Sequence, residues 1–173
     1  APTATDLTPQ VLAMGDADML AAWIFPNTLG VLDRQLQQNG RSPSVISTAS
    51  VELAFGFGTL VAGQTAGDYY GSLGCNTGAP EPGSELEQVV ASYQKAYPDA
   101  AVPFSQAVNV WDGIHIAAEA AEQAGSLDPE AINSAIGSLR YEGACGVYEA
   151  DGAHVLAHEV NIVHFTPDGP KTV

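Results

Sequence analysis

The sequence predicts an α/β fold with a parallel sheet, and three observations carry that reading. Short apolar runs at Met19–Phe25, Val45-Ile46 and Tyr69–Leu73 have the character of strands. Between them lie segments with helical spacing, Leu29, Val31, Leu32 and Leu36 in the first and a glycine-broken stretch from Val51 to Ala62 in the second. Strand and helix therefore alternate as β-α-β-α-β, which implies parallel strands joined by right-handed crossovers.

Each element has its own local reason. Leu7–Met14 suits a short helix, with Asp6 or Thr8 available to cap it. The continuous apolar run from Met19 to Phe25, bounded by Asp18 and by Pro26-Asn27, reads as a strand buried on both faces. The helix after it stops at Asn39-Gly40. After Leu73 the composition changes, and 75–83 is rich in Gly, Pro and Asn. Ser84 and Glu87 stand at capping-box spacing and open a helix to about Tyr97, and the Pro98–Pro103 segment breaks it. Phe104–Gln123 is the longest helical stretch, closed by Gly125. Asp128-Pro129 supplies an N-cap and a first-turn proline for a helix ending near Leu139. Val147–Ala150, a turn at Asp151-Gly152 and a strand from Val155 onward form a hairpin, and Glu159–Phe165 is the terminal strand.

Composition excludes several function classes. The 173 residues hold 5 Lys+Arg against 20 Asp+Glu, a formal charge of −15. With so few bases, contact with a nucleic-acid backbone or an anionic membrane surface has no footing. The 46% hydrophobic content argues for a folded chain, and no apolar run approaches the ~20 residues of a membrane span. Cys75 and Cys145 form no C-x-x-C motif; they are two separate thiols or one disulfide closing a loop of about 70 residues. The start at Ala1 is a mature N-terminus or a fragment boundary.

Catalytic signals are weak. There is no G-x-S-x-G elbow, and Gly56-Phe57-Gly58 is a fragment of a dinucleotide motif outside its strand–helix context. Asp112, His115 and Glu119 share a helix face, a pattern more often a solvated face than a metal site, and His154 and His158 complete no ligand set. Carboxylate pairs such as Asp16/Asp18, Glu81/Glu85 and Glu119/Glu122 are expected in so acidic a chain. The reading is a non-enzyme without metal or cofactor. The informative residues are Phe25-Pro26 and Thr48-Ala49-Ser50, at the carboxyl ends of the first two strands, where open parallel sheets bind ligands. Trp111 opens the long helix, with Asp112 beside it, and an aromatic wall with hydroxyl donors suits a small organic ligand.

Four stretches carry a family resemblance: Asp18–Leu36, Pro43–Ser50, Val110-Trp111-Asp112-Gly113 with Ala117–Gly125, and Tyr141–Gly146 through Asp151-Gly152. In order and spacing they resemble the C-terminal half of the type I periplasmic binding proteins, the branched-chain amino-acid type of ABC-transporter solute receptor. The resemblance implies parallel-sheet lobes crossed by the chain: 1–74 in the second lobe, 75–157 returning to the first and 158–173 crossing back. It implies a periplasmic or extracellular location, with a lipid anchor in a missing N-terminal segment as one option. It implies a small-molecule ligand, a membrane permease as partner and a complementary N-terminal half, from the same precursor or a separate chain. It also places Cys75 and Cys145 on the hinge-facing side of the first-lobe portion, which favours the disulfide. By the family pattern Phe25 stacks on ligand, Trp111 closes the pocket, and Thr48 and Ser50 supply hydrogen bonds. Ala49 stands where amino-acid binders often carry an acid for the ligand ammonium, so an aromatic or other apolar carboxylate, or a small neutral metabolite, fits better than leucine; Asp112 is the remaining group able to hold an amine. The rival readings are a sensor module of the same fold and an α/β hydrolase or metal-dependent enzyme.

Overall fold

The structure is a computed structural model that describes residues 4–99, 104–151 and 155–173. Helices and strands alternate first: α1 (Thr8–Ala13), β1 (Met19–Ala21), α2 (Pro26–Gln38), β2 (Ser44–Ser47), α3 (Ser50–Gly56) and β3 (Tyr69–Leu73). Three helices follow, α4 (Glu85–Ala96), α5 (Ser105–Ala124) and α6 (Pro129–Ile136). The chain ends in strands β4 (Arg140–Gly143), β5 (Gly146–Ala150), β6 (Leu156–Ala157), β7 (Asn161–Thr166) and β8 (Gly169–Thr172). It divides into two compact units, Ala1–Ala79 with Asn161–Val173, and Pro80–Val160.

The first unit is built on a five-stranded sheet of order β1-β2-β3-β7-β8. β1, β2 and β3 are parallel, as the β-α-β-α-β pattern requires, while β7 runs antiparallel to β3 and β8 antiparallel to β7. Leu29, Leu32 and Leu36, one face of α2, pack with Val45, Val51, Ala54 and Tyr69 into the main core. Gln35 ties α1 to α2: its Oε1 accepts from the Leu7 amide at 2.6 Å, and its Nε2 donates to Asp6 at 2.8 Å. The N-cap of α1 is Leu7 and not Asp6 or Thr8; Asp6, one residue before it, accepts from the Thr8 amide at 2.9 Å.

The first strand departs from its sequence reading. β1 covers only Met19–Ala21 and lies at the sheet edge, with Met19, Trp23 and Phe25 largely exposed, so it is not buried on both faces. Pro26 occupies the first turn of α2, and Phe25 before it is extended (ψ 157°) as the N-cap. An apolar run cannot by itself separate a central strand from an edge strand that continues into a helix cap.

The second unit holds α4–α6 and the antiparallel sheet β4-β5-β6. The caps follow the sequence closely. Ser84 accepts from the Glu87 amide at 3.1 Å, and the Glu87 carboxylate reaches back to the Gly83 amide at 2.7 Å, one residue beyond the reciprocal partner of a capping box. Asp128 accepts from the Glu130 and Ala131 amides at 3.0 and 3.3 Å. Gly125 ends α5 in the left-handed region at φ 59°. α6 stops at Ile136, three residues before the expected end, and β4 begins at Arg140. The turn expected at Asp151-Gly152 falls partly on residues 152–154, outside the described residues.

Candidate functional site

On the first unit, the carboxyl ends of β1 and β2 carry a shallow depression of about 210 Å³ lined by Trp23, Ile24, Phe25, Thr48 and Ser50. Three of its five lining residues, Phe25, Thr48 and Ser50, are among the sequence-predicted candidates; Trp23 and Ile24 are additions. They were legible as members of the apolar run but not as surface residues, because that run read as buried. Phe25 and Trp23 expose 59% and 70% of their surface, ample apolar area for a ligand to cover.

The polar side of the depression is fixed locally. Ser47, fully buried at the end of β2, donates its hydroxyl to the Ala22 carbonyl and so ties the carboxyl ends of β1 and β2 together. Thr48 donates to the Ser50 hydroxyl at 3.3 Å and accepts from the Ser50 amide at 3.4 Å, a local turn that precedes α3. Ala49 sits between them as the N-cap of α3, and Pro26 is half-buried in the first turn of α2. The five residues that line the depression include no ionisable side chain.

On the second unit, Trp111 is 43% exposed, and its ring lies 4.6 Å from that of His115 at a tilt of 39°. Asp112 is fully buried. Its Oδ1 accepts from the Ala144 amide at 2.8 Å, and its Oδ2 accepts from the Cys145 amide at 2.8 Å and the Tyr148 hydroxyl at 2.9 Å. The carboxylate thus grips the β4–β5 turn. Gly143 makes room for it: a Cβ there would lie within 2.7 Å of the Asp112 carboxyl carbon. Burial, with the hydrogen bond and negative charge of Asp112, pushes the Tyr148 phenol well above its ordinary value.

Cys75 and Cys145 are both disulfide-bonded and are the two cysteines of the chain. Among the described residues no three His, Cys, Asp or Glu side chains gather into a group able to hold a metal, and His154 lies outside them.

Comparison with known proteins places this geometry in a family. The family model for periplasmic binding proteins matches residues 1–170, and the chain belongs to that family. No curated protein matches the sequence. Among solved structures, a leucine-binding protein of Thermotoga maritima is 17% identical, with a TM-score of 0.79 over 99% of this chain and 48% of its own. A type 1 periplasmic binding protein of Bordetella pertussis is 20% identical, with a TM-score of 0.76 over 99% of this chain and 50% of its own. An ABC-transporter solute-binding protein of Rhodopseudomonas palustris, solved with benzoate, is 15% identical, with a TM-score of 0.76 over 100% of this chain and 47% of its own. These likenesses show the fold, and the chain spans about half the length of the structures it matches. The α/β class and the family expected from the sequence both stand. Members of this family are binding proteins rather than enzymes.

Proposed function

We propose that the chain is part of an extracytoplasmic solute receptor serving an ABC-type permease, and that its ligand is a small aromatic carboxylate. The observation that carries the ligand class is the depression at the ends of β1 and β2. Trp23, Ile24 and Phe25 give it an apolar wall, Thr48 and Ser50 give it hydroxyls, and Ala49 brings no carboxylate. A buried α-ammonium would find no counter-charge among these residues, and an unpaired buried charge is costly. A benzoate-type ring would cover the aromatic wall, and its carboxylate, which likewise meets no counter-charge among these residues, would be held by hydroxyl and backbone amide donors. Solved relatives from Rhodopseudomonas palustris carry benzoate and 3,4-dihydroxybenzoic acid, and one from Streptococcus pneumoniae carries isoleucine, so the fold serves both ligand types.

In this reading residues 1–74 belong to one lobe, 75–157 to the other, and 158–173 return to the first. Asp112 positions the β4–β5 turn and does not meet the ligand. Capture proceeds without bond chemistry, and closure is favoured only by the extra contacts that ligand makes in the closed state. Calorimetric titration of the receptor with 4-hydroxybenzoate and with leucine tests the assignment. Binding of the aromatic acid, weakened about tenfold by Phe25→Ala, is the expected result; tight leucine binding overturns it.

A further inference from the structure

At the amino ends of β2 and β3 the first unit holds a second cavity, of about 330 Å³, larger than the depression at the carboxyl ends. β2 is four residues long, so about 13 Å of strand separates the two. Asp68 and Tyr70 are two residues apart and share one face of the sheet, and Tyr70 pairs with His164 across β3 and β7. His164 Nε2 lies 3.1 Å from Asp68 Oδ1, and its ring stacks on that of Tyr70 at 4.6 Å and 20°. The imidazole, which lines the cavity, is therefore held from two sides. Gly67 brings in the other wall: a Cβ there would lie 2.2 Å from the Pro43 carbonyl oxygen, so the backbone of 67 lies directly against that of 43. The Ser42, Ser44 and Thr65 side chains also line the cavity, and none of the three hydroxyls has a hydrogen-bond partner among the described residues. Asp68 Oδ2 is likewise unengaged. Phe165 and Pro167 supply the apolar surface.

We propose that this cavity is a second binding site, for a small neutral polyhydroxylated molecule such as a monosaccharide. Its volume lies at the small end of the ~300–1,000 Å³ range of ligand pockets. Three hydroxyls that both donate and accept, with one spare carboxylate oxygen, match a ligand that presents several hydroxyl groups of its own. Phe165 and Pro167 give the C–H face of such a ring something to cover. Charged ligands fit less well. No Lys or Arg lines the cavity, so an anion would meet Asp68 and a chain of −15 without a counter-charge. An ammonium would gain one carboxylate whose side chain is 63% exposed and already engaged by His164, and such an exposed pair is worth little. A neutral polyol uses every unengaged group and needs no counter-charge. The Asp68–His164–Tyr70 clamp holds the polar side of the site in place before ligand arrives. The inference rests neither on the receptor reading nor on the ligand of the depression.

The test is to titrate the protein with D-glucose, D-ribose and myo-inositol, and with glucosamine and glucuronate as charged counterparts, while following the His164 ring signals by NMR. Saturable binding of at least one neutral compound, with a Kd of about 1 mM or tighter, is expected to shift those signals. Asp68→Ala should weaken it about tenfold, and so should Ser44→Ala with Thr65→Val, which leaves the His164 clamp in place and controls for loss of folding. Phe25→Ala should leave it unchanged, and 4-hydroxybenzoate should not compete. Failure of all three neutral compounds to saturate overturns the proposal, as does binding that both sets of variants leave intact. Displacement by 4-hydroxybenzoate also overturns it, because the polyol would then occupy the depression. Tighter binding of glucosamine or glucuronate than of glucose overturns the neutral class. Polyol binding that depends on Asp68, beside a failure of 4-hydroxybenzoate to bind at all, overturns the ligand assignment of the depression and supports the second site.

Discussion

Two buried aspartates do parallel work, one in each unit. Asp33 on α2 accepts from the Ala66 amide at 2.8 Å, the Tyr69 hydroxyl at 3.1 Å and Gln37 at 2.7 Å. Asp112 on α5 accepts from two amides and the Tyr148 hydroxyl. Each fastens a helix to a loop or strand far away in sequence, with a carboxylate in place of further apolar packing. Asp112→Ala would leave two buried amides and a phenol without an acceptor, and should cost about 3 kcal/mol in urea unfolding; Asp112→Asn, which keeps one acceptor oxygen, should cost less. The tyrosine partners give the same anchors a pH signature. Burial, then the nearby aspartate, pushes the Tyr69 and Tyr148 phenols above their ordinary 10.0. Above pH 10 the unfolded chain releases these protons while the folded chain holds them, so stability is full below pH 10 and falls as pH rises beyond it. The urea midpoint should decline from pH 10 upward, and the decline should be shallower in the Tyr69→Phe, Tyr148→Phe double variant.

At the scale of elements, legibility followed the strength of local chemistry. α2, α4, α5 and α6 were readable because each has an end signal, such as Ser84, Asp128-Pro129, Gly125 or Asn39-Gly40. β3 was readable as an isolated apolar run. β4 and β8 were not read as strands: Arg140-Tyr141-Glu142-Gly143 is polar and half-exposed, and Gly169-Pro170-Lys171-Thr172 is an edge strand containing proline. Their pairing comes from partners, β5 and β7, that sequence periodicity does not reveal. In the candidate site, Phe25, Thr48 and Ser50 were legible from strand-end logic. Asp112 stood out in the sequence beside Trp111, on one helix face with His115 and Glu119 and as a group able to hold an amine, but its engagement with the β4–β5 turn depends on a contact 33 residues away. Two glycines show how element junctions differ. At Gly67 a Cβ would lie 2.2 Å from the Pro43 carbonyl oxygen, so Gly67→Ala must move backbone and should cost about 2 kcal/mol. At Gly40 there is open space but φ is 62°, so Gly40→Ala should cost only about 1 kcal/mol. Thermal or urea denaturation of the two variants side by side checks the ordering.

For the whole molecule, the central question is what keeps so acidic and sparsely cored a chain folded. The main apolar cluster draws its residues from the first unit, and α6 contributes no fully buried residue to the second. With 20 acids against 5 bases, self-repulsion opposes the compact state. The Cys75–Cys145 disulfide acts on the other side of the balance, because it restricts the unfolded chain whatever the native packing. Closing a loop of about 70 residues lowers the entropy of the unfolded ensemble by an amount worth about 4 kcal/mol in the chain-entropy model. That is a large share of the roughly 5–15 kcal/mol by which domains are stable. Reduction should therefore shift the urea midpoint strongly downward, and a Cys75→Ser, Cys145→Ser variant should behave as the reduced protein does. Added salt separates the two contributions. Screening weakens charge repulsion but leaves loop entropy untouched, so raising ionic strength from 0.01 M to about 0.15 M, which shortens the Debye length from about 30 to about 8 Å, should stabilise oxidised and reduced protein by similar increments. If salt instead restored the reduced protein to the stability of the oxidised form, the bond would be acting by holding repelling charges together and not by constraining the unfolded chain.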